Sequence, residues 1–156
     1  MASTKDIDTI CNADSMIPKN KTFCLQTLTA YPPAVSAPNM AKLVKIVVGL
    51  GESNANKTAD FVAGLVKEPT FKQYFKACND AYKLVVWNFR SARLELEDNE
   101  TQTASSDILV SLDDTEMVKN TIGKNTDKAS KTLMEMTLVM EDFIGIAYAA
   151  VDQIDK

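Results

Sequence analysis

The chain has 156 residues, 46% of them apolar and 24% charged, with a net charge of −4 and no histidine. That length suits one domain with one sizeable core, and the apolar fraction excludes a disordered tail. The missing histidines exclude Ser-His-Asp and Cys-His catalysis and the HExxH zinc site, and the lack of a basic block argues against nucleic acid.

The first stretch, "MASTKDID", has no apolar run, so the expectation is a cytosolic protein or a chain whose leader has been removed. Ile7, Ile10 and Cys11 mark a short helix. "SMIPKN" turns the chain, and Phe23, Cys24, Leu25 and Leu28 mark a second short helix. "YPPAVSAP" reads as a linker between this hairpin and the remainder of the chain.

Four longer helices are predicted next. From Asn39 to Glu68, Met40, Leu43, Val44, Val47, Leu50, Val62, Leu65 and Val66 recur mostly at three and four residues. Gly49 and Gly51 inside this helix predict a bend or a close helix contact. Pro69 reads as a break and Thr70 as an N-cap for a helix to about Glu97, with Phe71, Tyr74, Phe75, Cys78, Tyr82, Val85, Phe89, Ala92 and Leu96 on its stripe. A third runs from about Thr101 to Thr121, with Ala104, Ile108, Leu112 and Val118 inward and Gly123 as its stop. The last, about Thr126 to Ile154, carries Leu133, Met136, Met140, Phe143, Ala147 and Ile154. No alternating stretch long enough for a sheet appears. The expected fold is all-α: an antiparallel up-down four-helix bundle with an N-terminal helical hairpin. It forms a single domain over 1–156, with the hairpin and linker over 1–35 and the bundle over 36–156.

Twelve residues separate Cys11 from Cys24. That is too many for a redox pair, and a zinc site lacks further ligands, so no metal or cofactor is expected. The spacing suits a disulfide bridging two antiparallel short helices, which are marginal in water alone. A disulfide implies an oxidising compartment; reduced thiols in a cytosolic protein are the alternative. Cys78 lies on an apolar stripe and reads as an unpaired, buried, inert thiol, and no catalytic residue is identified. A reactive nucleophile is its sharper reading.

Three stretches together resemble the plant invertase and pectin methylesterase inhibitor family: "TFCLQTL", "YFKACNDAYKLVV" and "SSDILVSLDDTEMV". The resemblance covers essentially the whole chain. It implies a disulfide-held hairpin packed on a bundle held by a second disulfide. Here the fourth family cysteine falls at Val118, so Cys78 is one half of a former bridge, expected to face Val118. Family members are not enzymes but bind and block carbohydrate-active enzymes of the plant cell wall or vacuole. Pectin methylesterase is the expected target; invertase, or a helical ligand-binding module with no enzyme target, is the alternative. In the invertase inhibitors a Pro-Lys-Phe-like segment enters the sucrose pocket. Thr101, Gln102 and Thr103 stand at the aligned positions here. Partner contacts are placed at these three residues together with Asp98 and Glu100, in an acid-rich stretch that also holds Glu95, Glu97, Asp107, Asp113, Asp114 and Glu116. The implied protein is a secreted monomer of the apoplast or cell wall, or of the vacuole, with an enzyme as partner and neither membrane nor nucleic acid. Asn20-Lys-Thr, Asn56-Lys-Thr and Asn99-Glu-Thr match the N-glycosylation pattern.

Overall fold

The computed structural model describes residues 2–154; Met1, Asp155 and Lys156, the ends of the expected single domain, lie outside them. The described residues form helices and turns with no strand. The four long helices are α4 (Met40–Leu65), α5 (Pro69–Glu97), α6 (Thr101–Ile122) and α7 (Lys128–Ile154). Each packs on its chain neighbour and α7 closes back on α4, which makes a square, up-down bundle. Ahead of it stand α1 (Ala2–Cys11), α2 (Lys21–Thr29) and α3 (Pro32–Val35), packed on one another and against α4 and α7.

Local chemistry sets the ends of these helices. Asn39 caps α4, its side chain accepting from the Lys42 N–H at 2.9 Å. Glu68, not Thr70, is the N-cap of α5: Pro69 takes the first helical position, where its missing N–H costs nothing. Asp127 accepts the Ser130 N–H at 2.9 Å where α7 begins. Gly123 ends α6 with φ −58, a right-handed conformation, so it supplies room and not a left-handed cap. A Cβ there would press on the Lys119 carbonyl. The expected linker is itself partly helical. Pro32 and Pro33 start α3, and Ala34 is buried.

The stripes read from the sequence mostly face inward. Leu43, Val44, Val47, Val62, Phe75, Tyr82, Val85, Phe89, Ile108, Leu133, Met140 and Ala147 are buried, while Phe143 and Ile154 are half-buried. Tyr74 is the exception, being exposed near the start of α5, while Leu112 and Met136 are half-buried. Of the two glycines expected to mark a bend or contact, only Gly51 does so: a Cβ on it would overlap the Phe89 ring, whereas one on Gly49 meets nothing. Gly51 therefore lets α4 and α5 approach closely.

Polar bonds cross the core at several levels. The Tyr82 hydroxyl and Thr137 Oγ1 lie 2.7 Å apart, joining the diagonally opposed α5 and α7. Thr115 Oγ1 donates to Glu141 at 2.9 Å, and Lys119 Nζ reaches the same carboxylate at 3.0 Å, which ties α6 to α7. Arg93 pairs with Glu52 at 2.6 Å between α5 and α4. The bonds of Tyr82, Thr137, Thr115 and Glu141 satisfy groups that would be costly to bury alone, whereas the Arg93–Glu52 pair lies at the half-exposed edge of the bundle.

Candidate functional site

Cys11 and Cys24 are joined in a disulfide, with their Cα atoms 5.5 Å apart. It ties the end of α1 to the first turn of α2, as the spacing suggested. Ile7, Ile10, Met16 and Leu28 seal the hairpin, and Phe23 meets Phe143 of α7 edge to face, with ring centroids 5.3 Å apart. The hairpin turn touches the bundle backbone to backbone: a Cβ on Gly145 of α7 would strike the Pro18 carbonyl. Asn20 both caps α2 and donates to Asp142 of α7 at 3.1 Å. Burial raises the Asp142 pKa, and the Asn20 bond opposes that shift.

Cys78 is free and fully buried on α5. Burial pushes its thiol up to about 11, so it is neither ionised nor accessible at ordinary pH. The nucleophile reading finds no support in that setting. Val118 is also fully buried, on the packed neighbour α6.

The expected contact residues sit around the α5–α6 turn. Asp98 is the C-cap of α5, and Asn99 follows with φ 60, a left-handed conformation that asparagine tolerates better than most residues. The Glu100 N–H bonds the Glu95 carbonyl at 2.8 Å, and the Asn99 N–H bonds Leu96 O at 3.2 Å. This is a Schellman turn with asparagine in the position glycine usually holds. Asp98, Glu100, Gln102 and Thr103 are exposed and Thr101 is half-buried. The structure brings the five residues to one end of the bundle. Gln102 also lines a shallow, open, polar depression with Ser105, Ser106, Leu109, Tyr148 and Asp152.

Acidic residues crowd the carbonyl end of α5, where the helix dipole disfavours them. Glu95, Glu97 and Asp98 occupy its last turn and cap, and no basic residue compensates. Glu95 faces Asp107 of α6. Its Oε1 is buried without a hydrogen-bond donor among the described residues. Burial, the Asp107 carboxyl and the nearby Glu100 charge push Glu95 up to about 7. Asp114, one of the adjacent acids Asp113 and Asp114, accepts from Asn88 at 3.4 Å. The two carboxylates point apart, as neighbours on a helix do.

One feature was missed in the sequence. Trp87 is 61% exposed on the outer side of α5, with Leu84 at 52% and Leu94 at 50% on the same face. Asn88 bonds Ser111 and Asp114, so the outward positions of α6 that flank those residues lie beside this face, among them Val110 and Met117, both exposed. Leu84, Trp87 and Leu94 form an apolar strip on the outer face of α5, which ends at the acidic turn. Trp87 falls off the stripe of Val85, Phe89 and Ala92, and that displacement was the available signal.

Among the described residues, no cluster of three or more metal-ligating side chains is found, and no helix is long and apolar enough to cross a membrane. The described residues thus present a stapled hairpin, a four-helix bundle and an exposed apolar strip. The chain belongs to the plant invertase/pectin methylesterase inhibitor family, whose pattern it matches over residues 5–140. It is 29% identical over 102 residues to cell wall/vacuolar inhibitor of fructosidase 2 from Arabidopsis thaliana. That alignment takes in 63% of this chain and 56% of the relative, so the chain spans little more than half of that protein's length. Its fold is similar to a crystal structure of a mutant form of a pectin methylesterase inhibitor from Arabidopsis, with a TM-score of 0.77 at 18% identity over 94% of this chain and 95% of the other. A second pectin methylesterase inhibitor structure, from Arabidopsis thaliana, gives a TM-score of 0.68 at 19% identity over 100% and 99% of the two chains.

Proposed function

We propose that this protein is a non-catalytic inhibitor that binds a plant cell-wall carbohydrate-active enzyme, pectin methylesterase first, and blocks its substrate cleft by occlusion. The observation that carries the reading is the exposed strip of Leu84, Trp87 and Leu94 beside the acidic turn. An exposed tryptophan on a rigid helix, ringed by charge, has the make-up of an interface anchor. The acids at the carbonyl end of α5 oppose stability where they stand, which supports a role toward a basic partner. Such charges steer encounter more than they add affinity. Asp98, Glu100, Thr101, Gln102 and Thr103 are the proposed contacts at that end.

A second reading takes a fructosidase as the target. The likeness to an inhibitor of fructosidase favours it. Thr101, Gln102 and Thr103 in place of the Pro-Lys-Phe-like segment weigh against the pocket-inserting route. Under either reading the protein acts as a monomer outside the cytosol, in the cell wall or vacuole, and Cys78 faces Val118 where a second bridge is lost. The hairpin and linker over 1–35 and the bundle over 36–156 act as one domain.

The test is a titration of a plant pectin methylesterase and of an acid invertase with the purified protein, from acidic to neutral pH. Loss of pectin methylesterase activity at one equivalent supports the first reading. Loss of invertase activity alone moves the target to the second, and loss of neither removes both.

A further inference from the structure

Three Asn-x-Thr acceptor patterns, at Asn20, Asn56 and Asn99, play no part in the inhibitor reading. An N-glycan is carried on the amide Nδ2, so the modified asparagine needs open space around that atom. The structure separates the three. At Asn20 both amide atoms are engaged: Oδ1 accepts the Phe23 N–H and Nδ2 donates to Asp142, each at 3.1 Å. That side chain is half-buried where the hairpin meets α7, so a sugar there would wedge the two apart. Asn56 is exposed but lies inside α4, with Nδ2 donating to the Glu52 carbonyl at 3.1 Å. The hydroxyl its pattern requires belongs to Thr58, which is buried and bonded to the Asn54 carbonyl at 3.2 Å.

Asn99 stands apart from both. It is exposed at the tip of the α5–α6 turn, outside any helix. Its φ of 60 lifts the local backbone out of the helical pattern. Backbone bonds close the turn, from Asn99 N–H to Leu96 O and from Glu100 N–H to Glu95 O, so a sugar on the side chain leaves that closure intact.

We propose that Asn99 is the N-glycan acceptor of this chain and that Asn20 and Asn56 are not. In the transfer, Asn99 Nδ2 bonds the anomeric carbon of a polyprenyl-pyrophosphate-linked oligosaccharide. The bond from that carbon to the pyrophosphate oxygen breaks, and polyprenyl pyrophosphate leaves with the electron pair. One amide proton passes to a base of the transferase, and nothing is oxidised or reduced. The inference requires only passage through a glycosylating lumen. Asn99 lies between the proposed contacts Asp98 and Glu100, so a glycan there would cover that end of the contact surface.

The full chain, fused behind a secretory leader, is translated into microsomes, and its size is compared before and after endoglycosidase. One removable glycan is expected on the wild type. It should persist in Asn20→Gln and Asn56→Gln and vanish in Asn99→Gln. Glutamine suits a φ of 60 poorly, so Thr101→Ala is the second variant: it keeps Asn99 and removes the hydroxyl that the pattern requires, and it too should abolish the glycan. A wild-type chain without a glycan, or a glycan that survives Asn99→Gln and Thr101→Ala, overturns the assignment.

Discussion

The α1–α2 hairpin and the α5–α6 pair solve the same problem by different means. Helices of 10 and 9 residues cannot hold themselves in water, and a disulfide ties them. Helices of 29 and 22 residues bury two long stripes against the bundle with no disulfide between them. Cys78 and Val118, both buried, are the positions we propose for a lost second bridge. A cross-link is thus needed where the core is small and dispensable where it is large.

The sharpest way to break that comparison is to restore the missing link. Val118→Cys should oxidise onto Cys78. Closing a forty-residue loop should add on the order of 4 kcal/mol to unfolding stability in the chain-entropy account. Denaturant melts with and without reductant read this out, and a variant with two free thiols would show that the positions do not face each other.

Removing the link that exists should have the next largest effect. Cys11→Ser with Cys24→Ser should cost about 3 kcal/mol. Hydrogen exchange should rise in residues 2–29 well before it rises in the bundle. A uniform rise would mean that hairpin and bundle are one cooperative unit.

Gly145→Ala tests how the hairpin docks. A Cβ there meets backbone at Pro18, which has little freedom to yield, so roughly 1–3 kcal/mol should be lost. Gly49→Ala, with open space around it inside α4, should instead stabilise by about 0.5–1 kcal/mol and serves as the contrasting control.

Smaller effects sharpen the comparison at the acidic end of α5. Glu97→Lys should raise stability by about 0.3–1 kcal/mol by suiting the helix dipole, while slowing association with a basic partner. Glu95 adds a pH dependence of definite sign. Its folded pKa of about 7 exceeds the reference 4.5, so its contribution is fully present below about 4.5 and fades as pH rises through about 7. Asp114 and Asp142 are also raised and act in the same direction. Asp127 is lowered by its bonds to Ser130, so its contribution is lost instead as pH falls below the usual carboxylate range. Thermal melts of Glu95→Gln between pH 4 and 8 should be flatter than those of the wild type.

Much of the architecture is legible because helical period speaks plainly over 20 or more residues. Leu43–Val62 and Phe75–Leu96 announce their own faces. The four residues of α3 are too few to show a period, and two prolines made them read as linker. The cross-core polar bonds were invisible for another reason. Thr115 and Thr137 look like gaps in an apolar stripe until a partner on another helix explains them. The acidic turn was readable from composition. The strip at Trp87 was hidden inside the apolar run "LVVWNF", where only the third dimension separates Val85 and Phe89 inward from Trp87 outward.

The central claim is that the outer face of α5 and α6 is the working surface. It is tested most directly by comparing the wild type with Leu84→Ala/Trp87→Ala for binding to pectin methylesterase. Both side chains are largely exposed, so the fold and its melting should be unchanged. The affinity should fall roughly 30-fold or more, as loss of an interface anchor of about 2 kcal/mol requires. An unchanged affinity, with the complex still formed, would contradict the account.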